Sequence, residues 1–415
     1  MSLPTWYKRR REIALKLLKE ARPARYGPDI DLDSYKLEAI KREPIASLRD
    51  LPELRIARSV GIREDEQYRS GTYLQYDNDV IYLKLAGEVL PKGLVVDNLV
   101  EAIRKYEWLR RFWFRACPLN LDKYTTFVGA HETAGAFIWC KREVHVEQPV
   151  QACLFMGTER MAQVPHNIII LEPGSSLHVI TGCAVSPRRS RAAHVACTEI
   201  YVGENAELTW TMIHNWRPDT HVRPRMGALV EKGGTLMVNY ALLSSVRSIQ
   251  FYPTVVLLGE GARAGFRNLM LALGRSMIDA GSAIIFNARE TRGEIVSRAV
   301  VKDEADLRMR GRLWGRKPGA KGHVECGALL LSSKAKAYAY PSLQSDVKDV
   351  ELTHEAAVGR IAEEELFYLM SRGLEQDEAV ALLSKGFLDT DIPGLPTELS
   401  IEIRRIISAT IEHVL

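Results

Sequence analysis

The sequence has no Walker A element, no G-x-G-x-x-G opening a helix, no H-E-x-x-H and no G-x-S-x-G elbow, so nucleotide hydrolysis and the common hydrolase chemistries lack their residues. It has no C-x-x-C pair either. Cys117, Cys140, Cys153, Cys183, Cys197 and Cys326 stand apart without zinc-finger spacing, and isolated thiols in a reducing compartment behave mostly as small buried hydrophobes. Long apolar runs are missing: none approaches the ~18 residues of a spanning helix. The start, MSLPTWYKRRREIALKLLKEARPARYG, carries basic residues but no apolar stretch or cleavage site of a secretory signal. It reads as a basic surface helix, and the expectation is a cytoplasmic protein with no membrane partner. A strong charge of either sign is absent as well. The 56 basic and 52 acidic residues leave +4, too little over 415 residues to imply a nucleic-acid partner. With 46% hydrophobic and 26% charged residues the chain is balanced like an ordinary globular protein, and its length allows two or three structural units.

Up to about Tyr124 the sequence is charged and mixed. Tyr7 to Ala21, Leu32 to Ile40 and Leu99 to Arg115 are helical candidates, the last with Leu99, Ile103, Tyr106, Leu109, Arg110 and Trp113 at three- and four-residue spacing. Residues 1–124 therefore read as an α-rich N-terminal domain. From 125 to 345 the texture changes. GAFIWCKREVHVEQPV, NIIILEPGSSLHVITG, AELTWTMIHNW, GTLMVNYALL and SAIIFNARE are short β-branched and aromatic runs between Gly, Asn and Ser breaks, with no long helical pattern among them. A weak recurrence runs through them: GENAELTW at 203, GEGARAGF at 259, KDEADLRM at 302 and SSKAKAYAY at 332 each set a turn before a fresh alternating run. Their starts lie 56, 43 and 30 residues apart, compatible with a coil of ~20–30 residues that is sometimes skipped. Short strands without crossover helices leave a sandwich, a propeller or a β-helix, and the irregular recurrence leans to the last. The glycines of GEGARAG read as a turn, not a phosphate cradle. Beyond 345 the pattern turns helical: IAEEELFYLMSRG stopping at Gly373, LEQDEAVALLSKG stopping at Gly386, and PTELSIEIRRIISATIEHVL with Thr397 as its cap. Residues 346–415 read as a three-helix C-terminal domain.

Two groups of residues can carry chemistry. Cys326, in GHVECGALLL, precedes THEAAVGR with Thr353, His354 and Glu355; a thiolate, an imidazole and a carboxylate together can bind iron, but spacing alone does not bring them together. Cys183, in ITGCAVSPRRSRAAHVACTEI, has His194 eleven residues on and Arg188, Arg189 and Arg191 between. Basic neighbours favour a thiolate, the form that accepts sulfur. An arginine-rich loop is equally an ordinary solvated turn. Cys197 sits in an alternating strand and reads as core.

HEAAVGRIAEEELFYLMSRGLEQDEAVALLSKGF, at 354–387, resembles the SufB/SufD proteins of the sulfur-mobilisation (SUF) pathway. GAFIWCKREVHVEQPVQ, the TGC of Cys183 with His194 following, HNWRP at 214–218, VEKGG at 230–234 and ECGALLL add ordered matches. The resemblance implies a right-handed parallel β-helix core flanked by helical ends, and an assembly scaffold in place of an enzyme. SufB-type members take sulfur, delivered as persulfide by a cysteine desulfurase, and build a nascent iron–sulfur cluster at a subunit interface. A SufC-type ABC ATPase is the implied partner on the C-terminal helices. The second subunit is SufD-like or identical, the cluster type stays open, and so does a reduced flavin in the complex. Carried over residue by residue, Cys183 falls on the sulfur acceptor and Cys326 on the cysteine where the cluster is built. His354 and Glu355 fall on further iron ligands, and Lys232, Trp216 and His194 on a sulfur path. Thr353 replaces a usual glutamate, His214 a usual glutamine, and Gly327 a usual acidic residue. Keeping both Cys183 and Cys326 favours a SufB-like role; the alternative is a SufD-like subunit that completes the dimer and anchors the ATPase without carrying the cluster. A β-helix carbohydrate enzyme ranks below both, since it gives the C-terminal helical motif no purpose.

Overall fold

The computed structural model describes residues 2–51, 54–65, 68–85, 93–186, 191–388 and 401. From Ala136 to Arg360 the chain winds as a parallel β-solenoid of about eight turns. Two sheets form its walls. The first runs, in spatial order, Val150–Met156, Ser176–Val185, Glu207–Asn215, Thr235–Leu242, Arg263–Ala272, Arg292–Val301, Ala320–Leu330 and Val350–Arg360. The second includes His166–Leu171, Cys197–Val202, Arg225–Val230, Thr254–Leu257, Met277–Phe286, Asp306–Gly315 and Lys336–Ser345. Burial along Asp306–Gly315 shows why such a sequence makes a wall: Leu307, Met309 and Leu313 point inward, while Arg308, Arg310 and Arg312 alternate outward.

Because parallel neighbours stay in register, like positions of successive coils stack into rows along the lumen. One row is Val179, Trp210, Val238, Phe266, Ile295 and Val324. A coil takes from 27 residues, Gly227 to Thr254, to 31, His166 to Cys197. The uneven recurrence in the sequence has its cause here. GENAELTW and GEGARAGF open strands of the first sheet two coils apart, whereas KDEADLRM and SSKAKAYAY open strands of the second sheet, one and a half and two and a half coils further on.

Several local expectations change in tertiary context. The N-terminal region is not purely helical: Gly71–Tyr76 and Asp79–Leu85 form an antiparallel hairpin that extends the first sheet, with Gly71–Tyr76 parallel to Val150–Met156. Leu32 to Ile40 makes only a 3-10 turn, Leu32–Ser34, because Lys36 leaves it to bridge Met161 of the solenoid. Leu99 to Arg115 breaks after Leu99–Lys105 at extended Tyr106, which frees Tyr106, Trp108 and Phe112 to pack on Phe137, Trp139 and Tyr201 outside the second sheet. The solenoid also runs past 345: THEAAVGR lies in its last strand, Val350–Arg360, ahead of any helix. Helices Glu363–Ser371 and Gln376–Leu388 follow, the second continuing through Gly386, and the third expected helix falls outside the described residues. Gln376–Leu388 seats Ala381 and Leu388 against Leu269, Leu271 and Val300 on the outer face of the first sheet.

Close coil stacking leaves some positions no room for a side chain. A Cβ on Gly281 would lie 1.8 Å from the carbonyl oxygen of Arg310, its partner on the next coil. Gly281→Ala is therefore expected to destabilise the chain by about 2–3 kcal/mol in urea denaturation, the range for overpacking a dense core. A stability unchanged within ~0.5 kcal/mol would contradict that close approach.

Candidate sulfur site in the solenoid lumen

Cys183 points into the lumen and is 1% exposed. In parallel strands the residues in register share a face, so its Cα partner His214 lies beside it on the same wall. His194, Trp216 and Tyr240 complete the nest. The indole of Trp216 stands 5.0 Å from both the His194 and the His214 rings, and the Tyr240 ring is 5.2 Å from His214. Burial pushes the Cys183 thiol well above its ordinary range, helped by Cys153 behind the sheet, so the neutral thiol is the resting form. No arginine among the described residues acidifies it; Cys183 faces inward, and the expected Arg188 and Arg189 lie outside the described residues. Burial likewise pushes His194 down to about 3 and His214 far down, leaving both imidazoles neutral.

The hydrogen-bond partners assign the tautomers. His194 Nδ1–H donates to Gln163 Oε1 at 2.9 Å. The Tyr240 hydroxyl lies 3.2 Å from His214 Nδ1, a contact that either tautomer makes; we assign the O–H as donor, since that nitrogen is the one acceptor paired with it among the described residues. His214 therefore carries its proton on Nε2. That N–H and the Trp216 Nε1–H are buried with no acceptor among the described residues. Two unmet buried donors, at about 1–3 kcal/mol each, are an arrangement that asks for a ligand.

From this nest a polar row crosses an otherwise apolar lumen. Thr181, Met212, Tyr240, Asn268, Ser297 and Cys326 are successive register partners, and Asn268 Nδ2 donates to Ser297 Oγ at 3.0 Å. Cys183 and Cys326 are five strand spacings apart. At 4.7–4.9 Å per spacing that is about 24 Å, too far for direct exchange.

Cys326 is also lumen-facing and 1% exposed, and burial, with the charge of Glu325, pushes its thiol up to about 11. His354 sits on the next strand opposite Val324, on the face Cys326 shares, and its side chain is exposed because no further coil among the described residues covers it. The two are diagonal neighbours, about 7–8 Å apart at Cα. Glu355 is different. One residue on from His354 it points to the opposite face, in register with Glu325, so the expected Cys326, His354 and Glu355 set does not converge. Among the described residues no group of three His, Cys, Asp or Glu side chains is placed to hold a metal ion. Gly327 lies close under the C-terminal helix: a Cβ there would meet Phe387 Cζ at 3.0 Å, so a larger residue would require that ring to shift.

Trp216 and His194 lie in the lumen as the sulfur-path assignment requires, whereas Lys232 does not. It occupies an exposed corner after Arg225–Val230, 4.0 Å from Glu204, because a residue between strand ends projects into solvent. Tyr240, Asn268 and Ser297, and the part played by His214, escape a local reading, since what relates them is the coil spacing.

Residues 154–387 match the family described as "SUF system FeS cluster assembly, SufBD core domain". An iron–sulfur cluster assembly SufBD family protein of Methanothermobacter thermautotrophicus (strain Delta H) is 40% identical over 407 residues, which cover 95% of this chain and 98% of that protein. Its counterpart in Archaeoglobus fulgidus is 39% identical over 350 residues, 84% of this chain and 93% of that one. A Staphylococcus epidermidis protein of the same description is 30% identical over 419 residues, 99% of this chain and 90% of its own. Similarity of this extent, on a parallel solenoid with thiols in its lumen, means that the chain belongs to the SufBD family of iron–sulfur cluster assembly proteins.

Proposed function

We propose that this chain is the SufB-like scaffold of its assembly machinery. Cys183 accepts sulfane sulfur from the persulfide of a cysteine desulfurase system. The Cys183 sulfur attacks the outer sulfur of R–S–SH, the S–S bond breaks, R–SH leaves, and Cys183–S–SH forms with no net oxidation. Cys183–S–SH is then the store of sulfur for the site at Cys326, five strands along the same lumen, where sulfur meets iron, both being substrates of the assembly. The observation that carries this reading is the polar row itself, Tyr240, Asn268 and Ser297, which lies between the two thiols in a core that is otherwise mainly aliphatic and aromatic. With Cys326 and His354 as the donors of one chain, a second subunit, identical or SufD-like, supplies the remaining ligands by covering the last coil. Helix Glu363–Ser371 buries none of its residues, and Phe367 at 73% and Tyr368 at 58% exposure offer an apolar face for a SufC-type ABC ATPase.

Anaerobic incubation with ferrous iron and sulfide should give thiolate-to-iron charge-transfer absorption, and Cys326→Ala should lose about nine-tenths of it. Unchanged spectra in that variant would reject the scaffold assignment. The SufD-like reading draws on one observation, that three donors do not gather among the described residues; it requires normal cluster assembly by the complex after Cys183 and Cys326 are both replaced.

A further inference from the structure

We propose that His214 and Trp216 form an anion hole for sulfur, so that the species held at Cys183 is the deprotonated perthiolate, Cys183–S–S⁻. The inference rests on Cys183 receiving sulfur and adds what the site does with it. A terminal sulfur on Cys183 extends further into the lumen beside His214, its register partner on the same wall, with Trp216 just past the end of that strand. Their Nε2–H and Nε1–H are the donors left without acceptors, and both rings are held from behind. Tyr240 fixes the His214 tautomer through Nδ1, and Ser244 Oγ accepts from the Trp216 backbone N–H at 2.6 Å.

The chemistry selects the anion. A neutral thiol buries at little cost and needs no donors, which suits the resting Cys183. A perthiol is a stronger acid than a thiol, and its anion accepts two hydrogen bonds where the neutral form has little use for them. N–H donors aimed at developing negative charge in a water-poor cavity act as an oxyanion hole does for oxygen. The proton released on ionisation goes to bulk water. The titratable groups facing this sulfur are His194, His214 and Tyr240, with Cys153 behind the sheet; both imidazoles are neutral, so the stabilisation comes from N–H dipoles. Tyr240 thus acts as a positioning residue, orienting the His214 ring that donates to the sulfur.

The test is a pH titration of the perthiolate's near-ultraviolet absorption in the full-length protein after treatment with sodium polysulfide. The Cys183→Ala signal is subtracted, and intact mass confirms the added sulfur. His214→Phe and Trp216→Phe each keep an aromatic ring and remove one donor. Each should raise the perthiol's apparent pKa by about one unit or more, a tenfold loss of anion at a given pH below it. His214→Gln, which restores an N–H, should recover most of the shift, a recovery that a purely structural role would not give. Tyr240→Phe should produce a smaller rise by releasing the tautomer. If wild-type protein gains sulfur at Cys183 yet both Phe variants titrate as wild type does, the anion hole is refuted, and the donors serve a buried water instead. If wild-type Cys183 gains no sulfur at all, the sulfur-acceptor reading fails first and takes the anion hole with it.

Discussion

Glu199→Ala should cost about 3–5 kcal/mol of folding stability, enough to unfold much of the population of a typical domain. Glu199 is fully buried and belongs to a Glu132–His166–Glu199 arrangement in which no member is more than 2% exposed. His166 Nδ1–H donates to Glu132 Oε2 at 2.5 Å and Nε2–H to Glu199 Oε1 at 3.1 Å. The same carboxylate accepts the backbone N–H groups of Phe114, Ala116 and Cys117 at 2.5, 2.7 and 3.1 Å. It thereby ties the turn at Phe114, with φ of 51°, to strand Cys197–Val202 of the solenoid. Alanine would leave the Phe114 and Cys117 N–H groups and one side of a buried imidazolium without a partner, while the Ala116 N–H keeps only the Tyr201 hydroxyl at 3.1 Å.

The arrangement has a pH signature. Burial alone would push His166 down, but the charges and hydrogen bonds of Glu132 and Glu199 outweigh it and raise the imidazole to about 9. The unfolded value is near 6.5, so between the two the folded state holds the extra proton. The contribution, on the order of 3 kcal/mol, is complete below about pH 6.5 and is lost as pH rises through about 9. Urea denaturation at about pH 6 and about pH 9.5 should show the fall in wild type and a shallower one in Glu199→Gln. A stability that is flat or rises across that window would mean the imidazole is buried neutral.

The strands were legible because β-branched runs broken by Gly and Asn have few other uses, and the lumen-facing positions of each run follow from period 2. What the sequence hid was coil length. A recurrence of 56, 43 and 30 residues looks irregular until the starts are known to alternate between two sheets. Counting back from Cys326 in steps of 29, 29 and 28 lands on Ser297, Asn268 and Tyr240, three polar residues set among apolar neighbours. A firm coil length would have exposed the lumen row without coordinates. Lys232 was misplaced because a matching motif fixes a residue's position in the chain but not which side of a corner it takes. Glu355 was grouped with His354 because adjacency in sequence looks like proximity, whereas in a strand it means opposite faces. Glu199 did leave a trace: a carboxylate inside CTEIYV, a run otherwise fit for burial, announces a buried partner without naming it.

The thiol of Cys326 should be among the slowest cysteines of the protein to alkylate near neutral pH, and its rate should keep climbing where an ordinary thiol levels off. Burial and the neighbouring Glu325 hold it near 11, so at pH 7 about one molecule in 10⁴ carries the thiolate, against about 3% for a free cysteine. Native-state alkylation by iodoacetamide, followed by peptide mass mapping, should run about 300-fold slower than for an exposed cysteine. It should rise about tenfold per pH unit between about pH 7 and 9.5, past the break expected near 8.5. Glu325→Gln should raise the rate by removing the adjacent charge while leaving Arg298 without its 2.7 Å partner. A rate that levels off near pH 8.5 would place the sulfur in a polar, hydrated setting and contradict its burial. Under the proposed scaffold role the same protonation counts, because iron would bind the thiolate and must displace that proton. With Cys326 as the proposed iron donor, uptake there should therefore strengthen about tenfold per pH unit over the same window.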